Sequence, residues 1–139
     1  MANVAHLFRA PKRRLPMQEL LEAEFVANVG VSGCAHGRRG SKRQVLLVDR
    51  ETLEVMDLQP GIVRENITTE GLNVNGLARG EQLQIGAVLL EVSAICEPCD
   101  QLETIRPGLR EEMRDRRGML CRVLRGGVIR RGDAIEKIG

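Results

Sequence analysis

A chain of 139 residues, 42% hydrophobic and 29% charged, is long enough to bury one core and too short for two ordinary domains, so residues 1–139 read as one globular domain. A net charge of +2 provides no bulk field for nucleic acid or an anionic membrane, and two Phe with no Trp or Tyr leave almost nothing for bases to stack on. No apolar run approaches the length of a bilayer span, and Met1 to Pro16 lacks the apolar centre of a secretory signal, so cytoplasmic residence is expected.

Taken in order, Val4 to Phe8 is an apolar-rich stretch suited to opening a sheet, and Pro11-Lys12-Arg13-Arg14 breaks it. Met17, Leu20, Leu21 and Glu24 have helical spacing, yet Phe25 to Val29 reads as strand, so Met17 to Glu24 is ambiguous between the two. Gly30 to Gly40, with Cys34-Ala35-His36 inside it, is a loop. Gln44 to Val48 has the continuous apolar character of a buried strand, and Asp49 can cap a helix from about Arg50 to Leu58 that Pro60-Gly61 ends.

Residues 60–72 then concentrate polar chemistry: Arg64, Glu65, Asn66, Thr68, Thr69 and Glu70 between two turn points, Pro60-Gly61 and Gly71. A guanidinium can grip an oxyanion with two parallel hydrogen bonds, and amide and hydroxyl groups can complete the cradle, which makes this a candidate binding loop. The alternative is a solvated loop capped by Asn and Thr.

Glu81 to Ile85 and Ala87 to Val92 read as strands around a bend at Gly86. A helix is expected from Pro107, with Glu111 and Glu112 early and Arg114, Arg116 and Arg117 late, matching the helix dipole. Met119 to Leu124 and Ala134 to Ile138 are closing strands. Short strands, glycine turns and two or three short helices predict a mainly β fold, a curled sheet or β-barrel, although a strict count would also admit α+β.

Positive charge gathers late in the chain. Ten basic residues lie between Arg106 and Gly139 against five acids, and Arg38, Arg39, Lys42 and Arg43 form a second cluster. Such groups can line an anion site or form a solvated face.

Four cysteines in a chain read as cytosolic argue against a disulfide framework. Cys121 fits a small buried hydrophobe in its strand. Cys96 and Cys99, in Cys96-Glu97-Pro98-Cys99, admit three chemistries. They could form a redox dithiol, although no parallel βαβ unit surrounds them. With Cys34 and His36 they could make a tetrahedral Cys3His zinc site. Alternatively, one thiolate could act as a soft ligand to molybdenum or as a sulfur carrier. His36 alone is as readily a structural loop histidine as a functional one.

The run PGIVRENITTEGL at 60–72, LARGEQLQIG at 77–86, Glu97-Pro98-Cys99, Arg117-Gly118-Met119, Gly126-Gly127 and Gly132-Asp133 resembles the MOSC domain, the C-terminal module of molybdenum-cofactor sulfurases, over most of the chain. The resemblance implies a β-barrel-like fold and a protein that binds molybdenum cofactor, or a related metal–sulfur species, and works as a sulfur carrier or as part of a reductase of N-hydroxylated compounds. It maps the functional cysteine, catalytic and molybdenum-binding, to Cys99. It assigns Arg64, Glu65, Asn66, Thr68 and Thr69 to the pterin or its phosphate, and Arg43 is placed to reach the same phosphate.

Family members commonly carry an acid where Cys34 stands, in a GDxH-like pattern, so this chain departs from them at the His36 loop. With neither the extra β domain nor the ferredoxin-like module of the reducing relatives in the sequence, a carrier or bare binding module is expected over a reductase. No lysine suggests a Schiff base, so pyridoxal phosphate is not expected. Expected partners are a molybdopterin or sulfur donor protein, or a separate electron-transfer protein. The alternative from another class is a zinc-stabilised structural or interaction domain without catalysis.

Overall fold

The computed structural model describes residues 2–138. Its strands are β1 (Asn3–Arg9), β2 (Gln18–Leu20), β3 (Glu22–Val26), β4 (Gly30–Val31), β5 (Val45–Asp49), β6 (Ile67–Glu70), β7 (Gln82–Ile85), β8 (Val88–Ile95), β9 (Met119–Arg125), β10 (Gly127–Arg130) and β11 (Ile135–Ile138). Helix α1 (Arg50–Val55) follows β5, and α2 (Leu109–Glu112) precedes β9. The expected mainly β class is correct.

Eight strands form one sheet in the order β11-β7-β8-β9-β5-β6-β1-β2, and β10-β3-β4 form a second. All pairs are antiparallel except β5 with β6, which run parallel with Leu47 opposite Ile67. That pairing requires a crossover, supplied by α1 and the loop after it.

Strand β5 explains why the large sheet needs cover on both sides. Its side chains alternate between two cores: Val45 and Leu47 pack with Phe25, Val31 and Ile129 of the small sheet, while Leu46 and Val48 pack under Leu53, Val63, Leu102, Leu109 and Met113. A strand buried on both faces reads as an unbroken apolar run, as this one does.

The closed barrel admitted by the sequence is not formed. The large sheet curls until Asn3 bridges Ala134, with Val4 N–H donating to Asp133 O and Ile135 N–H to Ala2 O. Beyond that point β1 has turned its edge to β2, pairing Leu7 with Leu20 and Arg9 with Gln18, so no continuous ladder to β11 develops. The result is a curled sheet backed by a small one.

Other boundaries moved for local reasons. The ambiguous Met17–Glu24 segment is strand, broken at Leu21. Helix α1 is capped as expected: the Asp49 carboxylate accepts from Thr52 N–H at 3.1 Å and from its hydroxyl at 2.7 Å. The helix expected from Pro107 shrinks to Leu109–Glu112, because Met113 already leaves helical geometry and Asp115 has a φ of 63°. This early exit turns Arg117 inward. Gly118 then passes so close to β5, at a φ of 107°, that a Cβ would collide with the Leu47 carbonyl oxygen.

Candidate functional site

The segment 60–72 is half loop and half strand. Ile67–Glu70 is β6, an interior strand between β5 and β1, so Thr68 and Thr69 are buried in the sheet. Ahead of it, Pro60 to Asn66 forms a compact turn held by one carboxylate. Glu65 is fully buried, and its Oε2 accepts from Gly61 N–H at 2.9 Å and from the Thr68 hydroxyl at 2.8 Å. Burial pushes the Glu65 carboxyl above its ordinary range, although the Gly61 N–H, its own N–H, the Thr68 hydroxyl and the Arg117 charge all pull the other way.

Asn66 closes the gap between strands. Its Oδ1 accepts from Leu46 N–H at 3.0 Å, and its Nδ2 donates to Phe8 O at 3.2 Å and to Cys34 Sγ at 3.4 Å. The amide thus joins β5, β1 and the Cys34 loop. Gln44 anchors the other end of that loop: it accepts from Val123 N–H at 3.0 Å and donates to Asn28 and to the Arg38 carbonyl.

These supports frame a cleft of about 360 Å³ on the side of the large sheet that carries Leu46 and Leu120. Five guanidinium side chains line it: Arg13, Arg38, Arg43, Arg64 and Arg117. Among the described residues its only lining carboxylate is Glu97. His36, Asn66, Cys96 and Cys99 also line it. The volume falls in the range of small-molecule sites, and the charge selects an anion.

The expected residues divide sharply. Arg43, Arg64, Asn66 and Cys99 face the cleft, whereas Glu65, Thr68 and Thr69 sit behind it in the core. Arg64 holds a left-handed backbone, φ 67°, and donates to Leu15 O at 2.6 Å, which brings the loop after β1 to the rim. Cys99 is an exposed free thiol; Cys96 is buried, with its N–H bonded to Gly118 O.

The Cys3His zinc arrangement of Cys34, His36, Cys96 and Cys99 is not assembled. Among the described residues no group of three or more His, Cys, Asp or Glu side chains converges to hold a metal ion. Cys34 is instead engaged as a hydrogen-bond acceptor from Asn66 and from Ala10 N–H at 3.4 Å. Burial drives its thiol up, but hydrogen bonds from the His36 side chain, Ala10 N–H, His36 N–H and Asn66 outweigh that effect and lower it to about 7. Cys121 behaves as expected of a core residue: it is fully buried, and desolvation, with the Glu91 charge, pushes it up to about 12.

In the sequence Arg117 stands in a basic run, at a helix end and in the Arg117-Gly118-Met119 step of the family resemblance, with no site role assigned to it. It is 6% exposed, its Nη2 donates to Val63 O at 2.7 Å, and its Nε and Nη1 have no partner among the described residues. The linear signals for it were that family-like step and its position just before a glycine and a strand.

A family model for the MOSC domain matches residues 35–136. The chain belongs to the MOSC domain family. Among solved structures, YuaD of Bacillus subtilis is 19% identical with a TM-score of 0.80, covering 96% of this chain and 93% of its own. YiiM of Geobacillus stearothermophilus is 16% identical with a TM-score of 0.81, covering 100% of this chain and 76% of its own. YiiM of Escherichia coli is 19% identical with a TM-score of 0.71, at 99% and 68% coverage. At these identities the likeness establishes the shared fold. None of the curated proteins matches the chain. The MOSC family as a whole is linked to molybdenum-cofactor binding or sulfur transfer. Among the described residues no helix is long and apolar enough to cross a membrane.

Proposed function

We propose that the cleft binds an anionic cofactor of the molybdopterin type and that the Cys99 thiolate is its sulfur contact. The observation that carries this reading is an exposed free thiol on a cleft lined by five guanidinium groups and one carboxylate. The donor set fits the group: a soft thiolate suits molybdenum, and planar guanidinium forks suit a phosphate.

Arg43 and Arg64 hold the phosphate or pterin oxygens, and Asn66 fixes the floor between them through its bonds to β5 and β1. Cys99 lines the same cleft as these guanidinium groups. When bound, the cofactor supplies oxygen-atom transfer chemistry, which suits reduction of an N-hydroxylated compound with electrons from a separate protein. As a sulfur carrier, the Cys99 thiolate attacks the terminal sulfur of a donor persulfide; a new S–S bond forms and the donor leaves as its thiolate.

Metal analysis and oxidised-pterin fluorescence on protein from a cofactor-making host test the reading. Molybdenum and pterin in the wild type, both lost in Cys99→Ala and Arg64→Ala while the folded state persists, are the expected result. Protein that carries neither, or carries both unchanged in the two variants, overturns it.

A further inference from the structure

We infer that the open end of strand β8 is a docking site for an extended, acidic segment of a partner protein, which adds to the sheet beside the cleft. The inference names the kind of partner that the cofactor reading calls for, and to that extent rests on it.

The opening follows from unequal strand lengths. Strand β7 pairs with β8 only from Val88 to Glu91, whereas β9 stays paired with it as far as Ile95. Past Glu91 the chain ahead of β7 adds bonds from Gly80 N–H to Val92 O and from Val92 N–H to Glu81 O, and it turns away at Gly80, whose φ is 91°. Cys96 N–H donates to Gly118 O, and bonded and unbonded positions alternate along an antiparallel pair, so Ile95, opposite Met119, directs its own N–H and C=O away from β9. Among the described residues no strand reaches that far on that side, and neither group joins a turn or loop bond.

Beside this edge lies a second cavity, of about 480 Å³. Leu77, Val92, Ile95 and Met119 supply its apolar lining and the exposed Lys42 and Arg79 its positive charge, with Glu97 as its only lining acid among the described residues. Ile95 is 59% exposed, so an apolar side chain and unpaired main-chain groups are presented together, the combination that invites strand pairing.

A second copy of this chain would bring the same cations to the edge, so charge opposes self-pairing and favours an acidic strand. An incoming strand with alternating side chains bonds the Ile95 main chain, directs an apolar residue into the cavity and sets its carboxylates against Lys42 and Arg79. The location matters because β8 runs directly into Cys96-Glu97-Pro98-Cys99, and Glu97 lines both this cavity and the arginine-rich cleft. A protein docked here is held beside the loop that carries Cys99, as delivery of sulfur or electrons to that site requires.

The test is titration of the full chain with a capped octapeptide of alternating glutamate and valine, followed by nuclear magnetic resonance, which reads both the affinity and the exchange rate of the Ile95 amide. An alternating lysine–valine octapeptide is the charge control. Saturable binding of the acidic peptide alone is expected, with exchange at Ile95 slowed about tenfold or more in the complex. Ile95→Pro deletes an N–H that bonds to nothing in the free chain, and is expected to fold and to abolish binding. Lys42→Glu combined with Arg79→Glu is expected to weaken binding about tenfold or more, whereas Arg114→Glu, on an exposed arginine paired with Glu111, leaves it unchanged. If Ile95→Pro fails to fold, the double charge reversal and the Ile95 exchange of the wild type decide the matter.

Equal binding of the two peptides, affinity indifferent to the double charge reversal, an Ile95 amide that exchanges as fast in the saturated complex as in the free chain, or no binding at all overturns the inference. So does a cavity that takes a small apolar carboxylate, with phenylpropanoate as the probe, and no peptide, since that result makes it a substrate pocket. Acidic-peptide binding in a protein that never retains molybdenum or pterin would sink only the cofactor reading. Retained cofactor without peptide binding would sink only this one.

Discussion

Replacing Asn66 by Ala removes an amide that satisfies three buried groups at once. Leu46 N–H, now bonded to Oδ1 at 3.0 Å, is left inside the sheet without an acceptor; the Phe8 carbonyl and the Cys34 sulfur each lose a donor. An orphaned buried N–H costs about 1–3 kcal/mol and each further lost bond about 1 kcal/mol, so the variant should lose about 2–4 kcal/mol after relaxation. Without Trp or Tyr to report unfolding, far-ultraviolet circular dichroism in urea is the suitable assay. The same variant should raise the Cys34 thiol above about 7, because one of the donors that stabilise its thiolate is gone. Asn66→Asp should raise it further, since the second carboxylate oxygen would face both the Phe8 carbonyl and the sulfur. A loss below about 0.5 kcal/mol in Asn66→Ala, within the range of ordinary surface changes, would show that the amide does not carry the junction and refute the reasoning.

Cys34 should be half ionised near pH 7, as read by ultraviolet thiolate absorbance in a Cys99→Ser background. Its folded value lies below the ordinary 9.0, so the stability it contributes is complete above 9.0 and lost as pH falls through about 7; the wild type's advantage over Cys34→Ser should grow across that interval. Glu65 has the opposite sign. Its raised carboxyl favours the folded state below the ordinary 4.5 and ceases to do so as pH rises through the higher folded value, so Glu65→Gln should gain on the wild type with increasing pH in paired urea titrations. Gly61→Ala forces a side chain onto a φ of 88° with its Cβ 2.7 Å from Phe8 Cε1, and should lower stability by about 1–3 kcal/mol in thermal unfolding, whereas Gly80→Ala, equally left-handed but with open space around it, should lose only the backbone share.

The parts of the fold legible in the sequence are those where burial and spacing agree. Val45-Leu46-Leu47-Val48 was readable as a strand because both its faces are buried, and α1 because Asp49 sits at the cap with Leu53 on its inner side. Strand β6 was not readable as such. Ile67-Thr68-Thr69 has the β-branched composition of a strand, but the polar groups around it suggested a loop, and only the fold shows that their hydroxyls are enclosed between β5 and β1. Arg117 failed for a different reason. Its place at the end of a charge-ordered helix pattern was locally sound, yet the chain leaves the helix at Met113, and a long-range bond to Val63 decides where the guanidinium points. No local propensity encodes a contact 54 positions away.

The density of polar residues in 64–69 therefore has two origins that a ligand-binding assay alone would confuse. Arg64 presents its side chain to the cleft, whereas Glu65 accepts from Thr68 and from Gly61 N–H inside the core, and Asn66 belongs to both sets. Loss of binding on replacing Thr68 would follow from the collapse of the Glu65 turn, which is also the turn that presents Val63 to Arg117. The buried network and the cleft are thus mechanically one unit: Glu65 shapes the loop, Val63 orients Arg117, and Asn66 ties the loop to β1 and to the Cys34 sulfur. Replacements at the cleft-lining arginines Arg43 and Arg64 should change affinity for an anion far more than unfolding midpoints, while replacements at Glu65 and Thr68 should move both together. The coupling also holds a buried guanidinium and a buried, half-satisfied carboxylate within reach of each other's charge: the Arg117 charge acts on Glu65, and the turn that Glu65 shapes presents the Val63 carbonyl to which Arg117 donates.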